Sequence, residues 1–243
     1  MATGPARVRH GVARHISRLG LASRSEAAAW VRSGRVRVNG RAVDDPEFPV
    51  RDGVDTVAID GTHSAAARRV VLMLNKPRGL VTTTRDEKGR ATVYQCLEGA
   101  GLPWLAPVGR LDKASEGLLL FSNDPAWAAR VTAPATGPEK TYHVQIDQLP
   151  SARLLQQLVQ GVEVDGEKLR ARAARSLRTG ARHAWLEIVL HEGRNRQIRR
   201  LLEACGVAVL RLVRVRIGSL ALGELPKGQW RVLGEREIAA LCA

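Results

Sequence analysis

Aromatic residues are scarce: five Trp, two Tyr and two Phe make up 4% of the 243 residues. That argues against a broad base-stacking platform for single strands. Cysteine is scarce too. Cys96, Cys205 and Cys242 are scattered, with no CxxC pair and few histidines nearby. A disulfide framework and a structural zinc site are therefore not expected, and a reduced, cytoplasmic protein is. Long apolar runs are missing. Residues 70–74 and 118–121 fall far short of the roughly 20 that a membrane-spanning helix needs, so no membrane partner is expected. The charged N-terminal stretch lacks an apolar h-region, so no secretory signal is expected. There is no P-loop, no GxGxxG after a strand, no HExxH and no GxSxG, which removes the commonest cofactor and hydrolase signatures.

What the chain has is positive charge. Lys+Arg is 38 against Asp+Glu 24, a net of +14, and only six of those cations are lysine. Arginine grips phosphate bidentately and stacks on bases. GC-rich codon usage accounts for part of the Arg/Lys ratio but not for the net excess. A polyanionic partner follows, nucleic acid ahead of an anionic membrane. The apolar (44%) and charged (26%) fractions are ordinary globular values, and the length suits one large domain or two unequal ones.

Charge is unevenly spread. Residues 1–41 hold nine arginines and one acid, Glu26, whereas residues 42–60 hold six acids and one arginine, Arg51. Residues 61–69, GTHSAAARR, lack an apolar period and read as a linker. This sets a small module over 1–60 and a larger domain over 70–243. In the small module, 12–19 and 25–32 read as helices, with Ser23 or Ser25 as cap and Gly34 as stop. Residues 35–38 and 54–59 alternate as strands, and Asn39-Gly40 signals a hairpin. In the larger part, strands are expected at 70–74, 118–121, 141–146, 185–190 and 207–217. Helices are expected from Asp124-Pro125, over 151–160 and over 195–204. Strands and helices mix without a βαβα rhythm. The fold class is α+β, with a mixed or antiparallel sheet.

Three polar segments stand out. Residues 109–117, GRLDKASEG, precede an apolar strand. Such a loop either holds Asp112 against a substrate or is a turn with a surface ion pair. Residues 191–200, HEGRNRQIRR, run into a helix start, where cations oppose the helix dipole. Arg196, Arg199 and Arg200 would share one face, as an anion site or as a solvated basic surface. Tyr142, in Lys140-Thr141-Tyr142, is either a stacking residue or a core tyrosine.

Together these segments resemble the RsuA/RluB/RluE/RluF family of ribosomal RNA pseudouridine synthases, over nearly the whole chain. Leu74-Asn75-Lys76-Pro77-Arg78-Gly79 and Gly89-Arg90-Ala91-Thr92-Val93 look like its first motif. Residues 109–124, GRLDKASEGLLLFSND, are similar to its catalytic motif, with Ser115 where threonine is common. Lys140-Thr141-Tyr142 and residues 192–200 look like the tyrosine and arginine motifs. Gly20-Leu21-Ala22-Ser23-Arg24 and Gly34-Arg35-Val36-Arg37-Val38-Asn39-Gly40 resemble an S4 RNA-binding domain, with Gly11 where an S4 helix often begins with arginine.

The resemblance implies isomerisation of uridine to pseudouridine in ribosomal RNA, without metal or cofactor. The Arg78-Gly79 and Gly89-Arg90 pattern looks most like the RluB branch, which acts on large-subunit RNA. A small-subunit enzyme of RsuA type and an inactive RNA-binding assembly factor are the alternatives. Asp112 is implied as the catalytic carboxylate, acting at ribose C1′, as a base, or at uracil C6. Tyr142 is implied to stack on the target base and Arg199 to pair with Asp112. RNA contacts are expected from Lys76, Arg110, Arg194 and Arg196, and in the S4-like module from Arg14, Arg18, Arg24, Arg35 and Arg37. The implied partner is ribosomal RNA or a pre-ribosomal particle, bound by a monomer.

Overall fold

A computed structural model describes residues 9–60, 68–84 and 86–242. Most of the linker read at 61–69 lies outside these residues. The described residues form two compact units, one holding those up to Val70 with 100–106 and 122–125, the other holding the rest of them.

The first unit begins with β1 (Arg9–Gly11), α1 (Val12–Arg18) and α2 (Arg24–Arg32). Ser23 caps α2 by accepting from the Glu26 amide at 3.1 Å. Then come β2 (Val36–Val38), β3 (Arg41–Ala42), β4 (Pro49–Arg51) and β5 (Val57–Ile59). Asn39 and Gly40 both take positive φ, 51° and 81°, so the β2–β3 turn is the hairpin type that matches strand twist. β5 starts later than the alternation at 54–59 suggests. The Arg51 carbonyl accepts from the Val54 and Asp55 amides, and the Asp55 carboxylate accepts from the Arg51 amide and guanidinium. That turn consumes residues 54–56. Val12, Ile16, Val31, Val36, Val50 and Ile59 fill the core of this unit.

The second unit contains β6 (Val71–Lys76), β7 (Ala106–Val108), β8 (Glu116–Ser122), α3 (Pro125–Thr132) and β9 (Lys140–Ile146), save the end residues Ala106, Ser122 and Pro125, which group with the first. It continues with α4 (Ala152–Gln160), β10 (Val162–Val164), β11 (Glu167–Leu169), β12 (Ala173–Thr179) and β13 (Ala184–Leu190). It ends with α5 (Gln197–Ala204), β14 (Val209–Ile217), β15 (Leu220–Ala221), β16 (Trp230–Val232) and α6 (Glu235–Ala240). The main sheet runs β12-β13-β9-β14-β8-β6-β16, with β15 on β14 and β7 on β8. β14 and β8 are parallel, whereas β9 is antiparallel to both β13 and β14. The sheet is mixed, in an α+β fold.

All seven residues of β8 and all six of β6 are buried, which is why their sequences read as continuous apolar runs. β9 and β13 alternate instead. One face of this pair carries Tyr142, Val144, Leu186 and Ile188 into the interior. Gly117 marks a tight contact between strands. Its φ is +99°, and a Cβ there would meet the Arg214 carbonyl oxygen at 2.3 Å. Only glycine allows β8 to run this close to β14.

Candidate active site

A cavity of about 840 Å³ opens in the second unit. Its wall is built from the loop before β8 (Arg110, Asp112, Ser115), the start of β9 (Lys140, Tyr142), the loop before α5 (Glu192, Arg194, Arg196) and β14 (Leu212, Arg214). Asp112, Tyr142, Arg110, Arg194 and Arg196 are therefore brought together from three distant stretches of sequence. Arg199 stands behind the wall.

The Asp112 loop is held from beneath by its backbone. The buried Lys76 ammonium donates to the carbonyls of Ser115 (2.8 Å), Pro77 (3.1 Å) and Asp112 (3.2 Å). Thr82 donates its hydroxyl to the Leu111 carbonyl at 2.7 Å, and the Gly79 amide donates to the Lys113 carbonyl at 2.8 Å. Glu116, buried where the loop enters β8, accepts both arms of Arg211 at 3.0 Å and also pairs with Lys227. Burial pushes the Glu116 carboxyl up, and these two cations more than offset it, so it lies below the usual carboxylate range. Asp112 itself is half-buried, in a loop whose carbonyls are spoken for.

Lys76 requires a correction. Its side chain is 0% exposed, so it cannot be an RNA contact. A residue at the end of a strand buried on both faces points under the neighbouring loop, not outward. Burial pushes its pKa down to about 8, with Asp112 and Glu116 pulling in the other direction. Between about pH 8 and 10.5 the unfolded chain holds the Lys76 proton and the folded chain does not. Stability from this group therefore rises with pH across that window. Measured by urea unfolding, wild type should gain up to about 3 kcal/mol relative to Lys76→Met from pH 7.5 to 10.5.

Arg199 is half-buried in the first turn of α5. Nη2 donates to the Ala114 carbonyl at 3.2 Å and Nη1 reaches the Val209 carbonyl at 3.5 Å. Asp112 attracts it electrostatically, but the two make no direct ion pair. The guanidinium holds the Asp112 loop by its backbone instead. Its pKa is lowered by burial, with further repulsion from Arg196 and Arg78.

The shared face expected for Arg196, Arg199 and Arg200 does not form. Arg196 lies before the helix in the left-handed region (φ 48°), so α5 begins at Gln197 and not at 195. Arg200 turns away to Glu167 and Asp165, each at 3.1 Å. Arg194 and Arg196 remain exposed, on a loop whose Glu192 and Arg194 are tied by the buried Gln197.

Residues 70–204 match the model for RNA pseudouridylate synthase, and residues 15–55 match the S4 domain. The chain belongs to the RNA pseudouridylate synthase family. It is 35% identical over 228 residues to an uncharacterized RNA pseudouridine synthase of Aquifex aeolicus, covering 93% of this chain and 91% of that one. It is 33% identical over 231 residues to ribosomal large subunit pseudouridine synthase B of Bacillus subtilis, covering 94% and 93%. A crystal structure of a pseudouridylate synthase superposes with a TM-score of 0.66 at 29% identity, covering 96% of this chain and 99% of that one.

In the S4 domain of this synthase the acidic stretch folds back on the basic one. Arg18 pairs with Asp52 at 2.8 Å, Arg24 with Glu47 at 3.1 Å and Arg37 with Asp60 at 3.9 Å, while Arg35 lies 5.3 Å from the Trp30 ring centroid. All four are exposed, as is Arg14, which makes no ion pair among the described residues. Sequence reasoning missed three parts of the synthase site: the Lys76 clamp, the Gln197 tie and Arg214. Arg214 faces inward in step with Leu212, and the register shift between Arg214 and Arg216 then brings Ile217 to the buried side; an arginine on that face reads as surface in the sequence.

Proposed function

We propose that the protein isomerises a uridine of large-subunit ribosomal RNA to pseudouridine, with Asp112 as the catalytic carboxylate. The observation that carries this reading is the convergence of Asp112, Tyr142 and three exposed arginines on one cavity large enough for a flipped nucleotide. The large-subunit assignment is supported by the relation to the Bacillus subtilis synthase B. The reaction breaks N1–C1′, turns the uracil and joins C5 to C1′. The C5 proton leaves to solvent and N1 gains one, so no external energy is needed. Tyr142 offers its ring to the target base, and Arg110, Arg194 and Arg196 hold the flanking phosphates. Flipping costs a few kcal/mol, least in a loop, so irregular RNA is favoured. The S4-like module over 1–60 adds phosphate contacts through Arg14 and its neighbours. The protein acts as a monomer in the cytoplasm, on ribosomal RNA or a pre-ribosomal particle.

Arg199 acts through the loop. Losing its grip on the Ala114 carbonyl lets Asp112 drift, and a misplacement of about 1 Å costs about a hundredfold in rate. Arg199→Ala should therefore lower single-turnover isomerisation by about that factor while RNA affinity stays unchanged.

The reading is tested by incubating the protein with unmodified large-subunit or small-subunit RNA and quantifying pseudouridine in the nucleoside digest. About one new pseudouridine per large-subunit RNA, and none in the small-subunit RNA, is the expected outcome. The reverse pattern would overturn the large-subunit assignment.

A further inference from the structure

Arg214 is a buried cation without a counter-charge. It is 6% exposed and lines the cavity wall. Its Nε donates to the Leu118 carbonyl at 2.7 Å, which fixes the guanidinium in place. No protein group accepts from its Nη2, and no carboxylate among the described residues pairs with it. A buried guanidinium with a free donor is costly, by several kcal/mol, unless something else accepts from it. The neighbouring charge makes this worse: Lys140, on the same wall, is depressed first by its own burial and then by Arg214. The site is thus built to receive electron density it does not itself contain.

Its position says which electron density. Arg214 is the direct cross-strand partner of Tyr142 in the β14–β9 ladder. Directly opposed side chains stand about 5 Å apart on one face of a sheet. A base stacked on Tyr142 would therefore present its edge to Arg214. On that edge uracil has the carbonyl oxygens O2 and O4. When N1–C1′ breaks, the bonding pair stays with the uracil and spreads over N1, O2 and O4. The ring must then be kept in the cavity, still charged, while it turns.

Building on the isomerase reading above, we propose that Arg214 binds the uracil itself. The part of its guanidinium that lines the cavity donates to one of the two carbonyl oxygens and retains the detached ring as an anion until C5 joins C1′ and the C5 proton leaves. The contact strengthens as the charge develops, so it lowers the barrier more than it tightens binding.

The test pairs a change in the protein with a change in the substrate. The uridine that wild type isomerises is first mapped, and a synthetic RNA fragment around it is made with uracil, 2-thiouracil or 4-thiouracil at that position. Sulfur accepts hydrogen bonds weakly. One of the two thio substitutions should slow single-turnover isomerisation by wild type by roughly 10- to 100-fold. Arg214→Met should be slowed by a similar factor on uracil and show no further loss on that same thio substrate. RNA affinity should be unchanged.

If the two losses multiply, or if neither thio substrate slows wild type, Arg214 does not touch the base and the proposal fails. It fails equally if the Arg214→Met defect disappears when a methylphosphonate replaces the target phosphate, because the anion is then a phosphate. Should Arg214→Met not fold, judged by its urea midpoint, Arg214→Lys takes its place, keeping the charge but losing the fork. Failure of the isomerase reading would show separately, as a wild type that forms no pseudouridine at all.

Discussion

Asp112→Asn should abolish isomerisation while leaving the protein folded and bound to RNA. The substitution removes a charge and changes almost nothing in shape. The loop that carries residue 112 is held through backbone atoms, by Lys76, Thr82 and Arg199, and none of those bonds uses the Asp112 carboxylate. Stability should therefore move little. The rate should fall by about 10⁴-fold or more, as expected when the reacting group itself is lost. Single-turnover kinetics with mapped substrate RNA, alongside filter binding, separates the two effects. A variant that keeps a tenth of the wild-type rate would mean that a different group carries the chemistry.

Gly117→Ala should be the most destabilising single methyl in the second unit. At φ +99° an L side chain is strained, and its Cβ would meet the Arg214 backbone, oxygen at 2.3 Å and nitrogen at 2.9 Å. Backbone cannot swing away as a flexible side chain does. β8 and β14 must part, and with them the parallel pairing of Glu116 with Val213. Strain at a left-handed residue and overpacking each cost about 1–3 kcal/mol, so a loss of about 3–5 kcal/mol in urea unfolding is expected. The junction also joins the Asp112 loop to Arg214, so residual folded enzyme should be slow. Wild-type stability in Gly117→Ala would show that the two strands have slack.

Much of the fold is written in local signals. The Ser23 cap, the Asn39-Gly40 turn, the Ser151-to-Gly161 bounds of α4 and the apolar runs of β6 and β8 each follow from the residues themselves. The β10–β11 hairpin turns on Asp165-Gly166, both at positive φ, a signal present in the sequence but passed over. β12 was hidden for a different reason: an exposed edge strand carrying Arg175 and Arg178 has no apolar face to announce it.

The site shows the same division. Asp112, Tyr142 and Arg199 fall in recognisable segments. Lys76 does not reveal its burial, because an amine beside an apolar run reads as surface until the covering loop is known. Arg196 in the left-handed region breaks a helix that its neighbours would extend. The ion pairs of Arg18, Arg24 and Arg37 join residues more than twenty positions apart, which no count of charge by segment shows.

The most direct measurement is tritium release from large-subunit RNA labelled at uridine C5, with the purified protein, no nucleotide and no reductant. A base rejoined through C5 gives up that hydrogen to water. About one equivalent of tritium per RNA, with no free uracil, is the result that isomerisation requires. Tight RNA binding with no tritium released would make the protein an RNA-binding factor, and free uracil in place of tritium would make it a hydrolase.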